Sequence, residues 1–188
     1  MDALAVTGTT EAAAEPGSLF HAADLSNTAA AIIAGALDFC GRKIGADGRQ
    51  VVVDRLRAGD ADACRYLRYG LAARLGEQIG ALDGNARAVY LFDDADTAEE
   101  TWFDEGTPGA PVHLVVWAQP KTAALHSLAE ALDSALLPGY TALSGRHQLG
   151  HLLAVDLVDD ADVASRRGWG VLLSSVRHAP LRVWNAEV

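Results

Sequence analysis

Two short acidic runs are the first places in this chain where chemistry could occur. Asp93-Asp94-Ala95-Asp96 follows the apolar run Ala88–Phe92, and Asp159-Asp160-Ala161-Asp162 follows Ala154–Val158. A strand that runs into carboxylates offers oxygen ligands to a hard cation, and Mg²⁺ takes such ligands in an octahedral array while keeping several waters. Asp93, Asp94, Asp156 and Asp159 are the candidate Mg²⁺ ligands, on the expectation that the two strands lie side by side. An acidic turn ahead of a helix also has a plainer use. Asp at an N-cap satisfies orphan backbone N–H groups and complements the helix dipole. Asp96-Thr-Ala-Glu99 has the spacing of a capping box. Capping is the favoured reading of both acidic turns.

Asp156 stands apart, because it sits inside an apolar strand between Val155 and Leu157 and must face solvent, a partner or a cleft. It is the strongest single site candidate. His113, flanked by Val112 and Leu114, points the same way as Val115 and joins Asp156, Asp93 and Asp94 as a candidate catalytic residue. His126, His147, His151 and His178 are scattered, with no helical i, i+4 pair, so no zinc site is expected. Neither a nucleophile elbow, a phosphate-binding loop nor a dinucleotide fingerprint occurs.

These residues need elements to hold them. Ala30, Ile33, Leu37 and Cys40 or Phe39 predict a helix capped at Ser26 or Asn27 and ended by Gly41. Val52 and Leu56 predict a short second helix. Asp60 caps a third, with Cys64, Leu67, Leu71, Leu75, Gln78 or Ile79, and Leu82 on one face and Arg65, Arg68 and Arg74 on others. Strands follow at 86–92 and 112–117. Thr122 caps a helix carrying Leu125, Leu128, Leu132 and Leu136, which Pro138-Gly139 should end before a shorter helical piece over 140–143. A third strand at 152–158, a helix capped by Asp160 or Asp162 and a last strand at 180–184 complete the order. Between strands lies a long acidic loop, 97–111, in which Trp102 and Phe103 pin the loop to the core. Trp169 and Trp184, with Trp117 and Trp102, suggest an aromatic cluster, either a core seam, the favoured reading, or a self-association patch.

The expected fold class is α/β: a helical part over 19–84, then a small mixed sheet of three to four strands with flanking helices over 85–188, together one domain. Residues 1–18 read as a disordered or loosely docked tail. A formal net charge of -10 argues against binding duplex nucleic acid. Eight of the fifteen basic residues fall between Arg42 and Arg74, which the acidic segment Asp83–Glu105 balances. Cys40 and Cys64 lack zinc or redox spacing and read as small buried hydrophobes. The first residues carry no basic start and no apolar run reaches membrane-spanning length, so a cytoplasmic location and no membrane partner are expected.

The line Val89-Tyr-Leu-Phe-Asp-Asp94, Val112-His-Leu-Val-Val116, a helix, then Val155-Asp-Leu-Val158 resembles the core of the minimal nucleotidyltransferase superfamily over residues 87–184. The resemblance implies a nucleotidyltransferase-like sheet and a site that positions a nucleoside triphosphate on two Mg²⁺ ions. Where the family has Gly-Ser after its first strand, this chain has Asp93-Asp94. Pro111 and His113 replace the family's metal-binding Asp pair, and Asp156 alone matches a family carboxylate. The implied protein is a degenerate, non-catalytic domain that binds a small molecule or a protein. The alternatives are a Mg²⁺-dependent nucleotidyl-transfer enzyme with an atypical acidic site, and a homo-oligomeric scaffold built on the helix from Asp60 to Leu82.

Overall fold

A computed structural model of the chain describes residues 22–92, 112–147, 149–175 and 179–186. The tail over 1–18, Asp93, Asp94, the turn to Asp96, the loop over 97–111 with Trp102 and Phe103, and His178 lie outside the described residues. Three helices come first: α1 (Ala22–Ile44), α2 (Arg49–Arg57) and α3 (Ala61–Leu82). Then come β1 (Ala86–Phe92), β2 (Val112–Ala118), α4 (Ala123–Ser144), β3 (Leu153–Val158), α5 (Asp160–Ser165), α6 (Gly170–Leu173) and β4 (Leu181–Asn185). The chain is α/β, with three helices first and a mixed four-stranded sheet with further helices after them.

Helix α1 starts four residues before Ser26, so Ser26 and Asn27 are exposed helical positions and not caps. Asp24 in its first turn complements the dipole there. Gly41 does not end it; the chain turns at Gly45, whose φ of 65° is the left-handed conformation glycine adopts freely. Both buried residues of α2, Val52 and Leu56, are the pair that predicted it. Asp60 caps α3: its Oδ1 accepts from the Ala63 amide at 2.8 Å, and its Oδ2 from Arg55 Nη2 at 2.7 Å.

Helix α3 is buried on more than one face, which a single stripe did not anticipate. Leu67, Leu71, Leu75 and Ile79 are buried, and so are Gly70, Ala72, Gly76 and Arg68, whereas Leu82 is exposed. The small residues explain this. A Cβ on Gly70 would lie 2.9 Å from the Cα of Ala36 in α1, and one on Gly76 would lie 2.7 Å from the Cβ of Trp184 in β4. The helix is therefore wedged between α1 and the sheet. Helix α4 begins on Thr122, whose Oγ1 accepts from the Leu125 amide at 3.1 Å. It runs through Pro138 and Gly139 as one piece to Ser144, ending at left-handed Gly145. Gly139 serves packing instead of termination: a Cβ there would come within 2.6 Å of Ile33.

The sheet order is β3-β2-β1-β4, with β1 antiparallel to both β2 and β4 and with β3 parallel to β2. The first and third strands are thus separated by β2, which removes the premise for grouping Asp93 and Asp94 with Asp156. Alternation sends Val89, Leu91, Leu114, Val116 and Leu153 into one core with Leu71, Leu75, Leu128 and Leu132. The opposite face carries Tyr90, Phe92, His113, Val115, Trp117 and Asp156. Trp184 packs on α3, on the helical face of the sheet, whereas Trp169 stands beside His113 on the other face, so these two share no seam. Among the described residues no helix is long and apolar enough to cross a membrane.

Replacing Gly70 by Val should lower the unfolding free energy by about 3 kcal/mol in urea denaturation, since the new methyls meet helix backbone that cannot yield as a side chain would. Asp60→Ala should cost about 1 kcal/mol at neutral pH. The Ala63 amide and the Arg55 guanidinium hold the Asp60 carboxyl below its ordinary value of 3.8. A depressed folded-state value means that the stabilisation is complete above the unfolded pKa and is lost as pH falls through the folded one. The difference between wild type and Asp60→Ala in thermal melts should therefore shrink in acid and hold steady from pH 5 upward.

Candidate functional site

His113 and Asp156 meet on the sheet face away from the long helices. In the parallel register His113 pairs with Ala154 and Val115 with Asp156, so the two side chains are diagonal neighbours on one face. His113 Nε2 lies 2.7 Å from Asp156 Oδ2. Their side chains are 22% and 40% exposed, which makes Asp156 the open member of the pair. Phe92, opposite His113 across the β1–β2 ladder, stands edge-on to the imidazole with centroids 5.4 Å apart. Trp169, just before α6, closes the group at 4.5 Å from His113 and 5.0 Å from Phe92. A carboxylate that bonds one ring nitrogen fixes the imidazole's orientation. The result is an oriented His–Asp pair, walled by two aromatic rings, with a carboxylate edge open to solvent.

The remaining carboxylates of the second acidic run are structural. Asp159, not Asp160 or Asp162, is the N-cap of α5. Its Oδ1 accepts from the Asp162 amide at 2.9 Å while Asp162 accepts from the Asp159 amide at 3.2 Å, a reciprocal capping box. Lys121 Nζ lies 2.5 Å from Asp162, and this hydrogen bond, with the Asp159 amide, holds the Asp162 carboxyl below the usual carboxylate range. Asp160 accepts from Trp117 Nε1 at 2.8 Å. Asp159 Oδ1 is thus engaged by backbone, and Lys121 Nζ stands 3.4 Å from its Oδ2. Among the described residues no three His, Cys, Asp or Glu side chains converge to hold a metal ion. Of Asp93, Asp94, His113 and Asp156, the structure brings together His113 and Asp156.

A second His–Asp pair corresponds to no sequence motif. Asp133 of α4 is 8% exposed, and its Oδ2 lies 2.8 Å from His151 Nδ1. Its Oδ1 accepts from the amides of Leu152 and Leu153, each at 2.8 Å, at the start of β3. The available signal was a carboxylate on the buried side of an apolar helix, four residues after Ala129 and three before Leu136. The arrangement joins α4 to the strand it precedes. Its chemistry is that of a side-chain acceptor standing in for a neighbouring strand.

The two aspartates should behave oppositely in urea denaturation. Asp133→Ala strands two buried amides and should cost on the order of 2–4 kcal/mol. Asp156→Ala removes a partly exposed hydrogen bond and should cost no more than about 1 kcal/mol. Equal losses would contradict the division into a structural and an open carboxylate. Comparison with family models, with curated proteins and with solved structures gives no match for this chain in any of the three.

Proposed function

We propose that this chain is a non-catalytic binding domain, akin in form to a degenerate nucleotidyltransferase-type domain, and that it engages a small molecule or protein at the His113–Asp156 pair. The single observation carrying this reading is that pair's geometry. Its carboxylate is held at 2.7 Å by an imidazole and remains 40% exposed, beside Phe92 and Trp169. A partner with a hydrogen-bond donor on a planar or apolar body fits there, the donor on Asp156 and the body on the rings. Two-metal nucleotidyl transfer requires several carboxylates around the ions. Asp159 is used as a helix cap, and β2 separates β3 from β1.

Two measurements test the proposal together. Calorimetric titration with Mg²⁺ and ATP, alongside a nucleotidyl-transfer assay, should show no turnover and no heat that Asp156→Asn abolishes. NMR titration with a library of small planar hydrogen-bond donors should shift the His113 and Trp169 resonances, and Asp156→Asn should remove those shifts. Mg²⁺-dependent turnover lost in Asp156→Asn would establish the enzyme alternative instead. Fragments that bind elsewhere and leave His113 and Trp169 unmoved would end the binding reading.

A further inference from the structure

A groove of about 530 Å³ lies between α4 and the start of β3, and neither His113 nor Asp156 lines it. Its polar lining comes from one stripe of the helix. His126, Glu130 and Asp133 recur at spacings of four and three, which places them on one face of α4. His151 adds a second imidazole from just ahead of β3. Ala129, Leu153 and Val155 supply the apolar part. Asp156 follows Val155 in the strand and points to the other face of the sheet, so the two sites are separate.

Asp133 fixes what His151 can offer a ligand. Its Oδ1 accepts from the Leu152 and Leu153 amides, and its Oδ2 stands 2.8 Å from His151 Nδ1. A carboxylate has no proton to give, so Nδ1 is the donor and Nε2 keeps its lone pair. The His151 side chain is 77% exposed, and its Nε2 has no hydrogen-bond partner among the described residues. Glu130 is a second open acceptor. His126 Nε2 stands 3.5 Å from its Oε1, beyond the range of a good N–H···O bond, and the Glu130 side chain is 69% exposed. Residues three apart on a helix stand about 5–6 Å apart at Cβ, which brings Glu130 close to the Asp133 that carries His151. Among the described residues the groove's lining holds two carboxylates and neither lysine nor arginine.

We infer that this groove binds an organic ammonium ion, a primary amine carried on an apolar body. An ammonium group has three donors and no acceptor, which complements a wall of acceptors. One N–H meets the lone pair of His151 Nε2, and a second meets the Glu130 carboxylate. The hydrocarbon lies against Ala129, Leu153 and Val155. An anion would face two carboxylates there, and a neutral donor would forgo the charge. A metal ion is not the occupant, because among the described residues no three His, Cys, Asp or Glu side chains converge. Asp133 touches no ligand in this arrangement. It is a positioning residue, holding the ring so that an acceptor and not a donor faces the amine.

Three probes test the inference on the full chain: cyclohexylammonium, its neutral isostere cyclohexanol, and tetramethylammonium, which carries charge without an N–H. Side-chain nitrogen NMR should show the His151 proton on Nδ1. Cyclohexylammonium should shift His151 Nε2 and the Val155 amide saturably, and the other two probes should bind more weakly. His151→Ala should weaken cyclohexylammonium binding by about three- to tenfold, the loss of one hydrogen bond. Glu130→Gln should weaken it by up to about fivefold, as for an exposed ion pair. Both residues are exposed, and circular dichroism checks that the variants fold. Asp133→Asn keeps an acceptor for the two amides but turns a donor on Nδ1. It should move the ring proton to Nε2 and abolish binding; if it does not fold, the two exposed variants decide. A His151 proton found on Nε2 in the wild type overturns the inference, and so does affinity unchanged in both exposed variants. Equal binding of cyclohexanol or of tetramethylammonium also overturns it. Shifts that Asp156→Asn abolishes would assign the amine to the His113–Asp156 pair instead.

Discussion

The fold depends on how closely α3 approaches its neighbours. A helix that contacts another helix on one side and a sheet on the other must lose side-chain bulk where both approach. Gly70 admits the backbone of Ala36, while Gly76 and Gly80 admit Trp184. Between those contacts, Leu67, Leu71, Leu75 and Ile79 supply the apolar volume. Trp184 in turn holds β4 beside β1, and β1 with β2 carries Phe92 and His113. The site on the far face therefore inherits its geometry from glycines on a helix it never touches.

Strong periodic signals were legible in the sequence, and the interruptions were not. The leucine stripe of α4 and the caps at Asp60 and Thr122 are local, because an N-cap and its amide are three residues apart. Strand β1 was readable to the residue. Glycine was one source of error. Gly41 and Gly139 look like helix ends, yet both lie inside helices, and at Gly139 the reason is a close approach by Ile33 from a distant part of the chain. Stop signals and close-packing signals share one residue type, and only tertiary context separates them. Arg68 shows the same limit: spacing placed it on an outer face of α3, and the second packed face of that helix buried it.

Of the site, half was legible. An acidic residue inside an apolar strand marked Asp156, and strand parity put His113 on the same side as Val115. That these two would touch required knowing that β2 and β3 are parallel neighbours, which no local pattern encodes. The acidic repeat misled for a physical reason. Asp-Asp-Ala-Asp after a strand suits a cation and a helix cap equally well in composition, and the distinction is whether the oxygens face outward or turn back on their own amides. In the second copy of the repeat they turn back, with Lys121 and Trp117 absorbing what is left.

Strand β3 concentrates the chain's remaining possibilities because its two-residue period serves two surfaces at once. Ala154 and Asp156 direct their backbone groups to β2 and present Asp156 to the open face. Val155 and Leu157 direct theirs to the free edge. A residue cannot do both, so an amine in the groove beside α4 and a ligand on the open face would draw on different residues of the same six-residue strand.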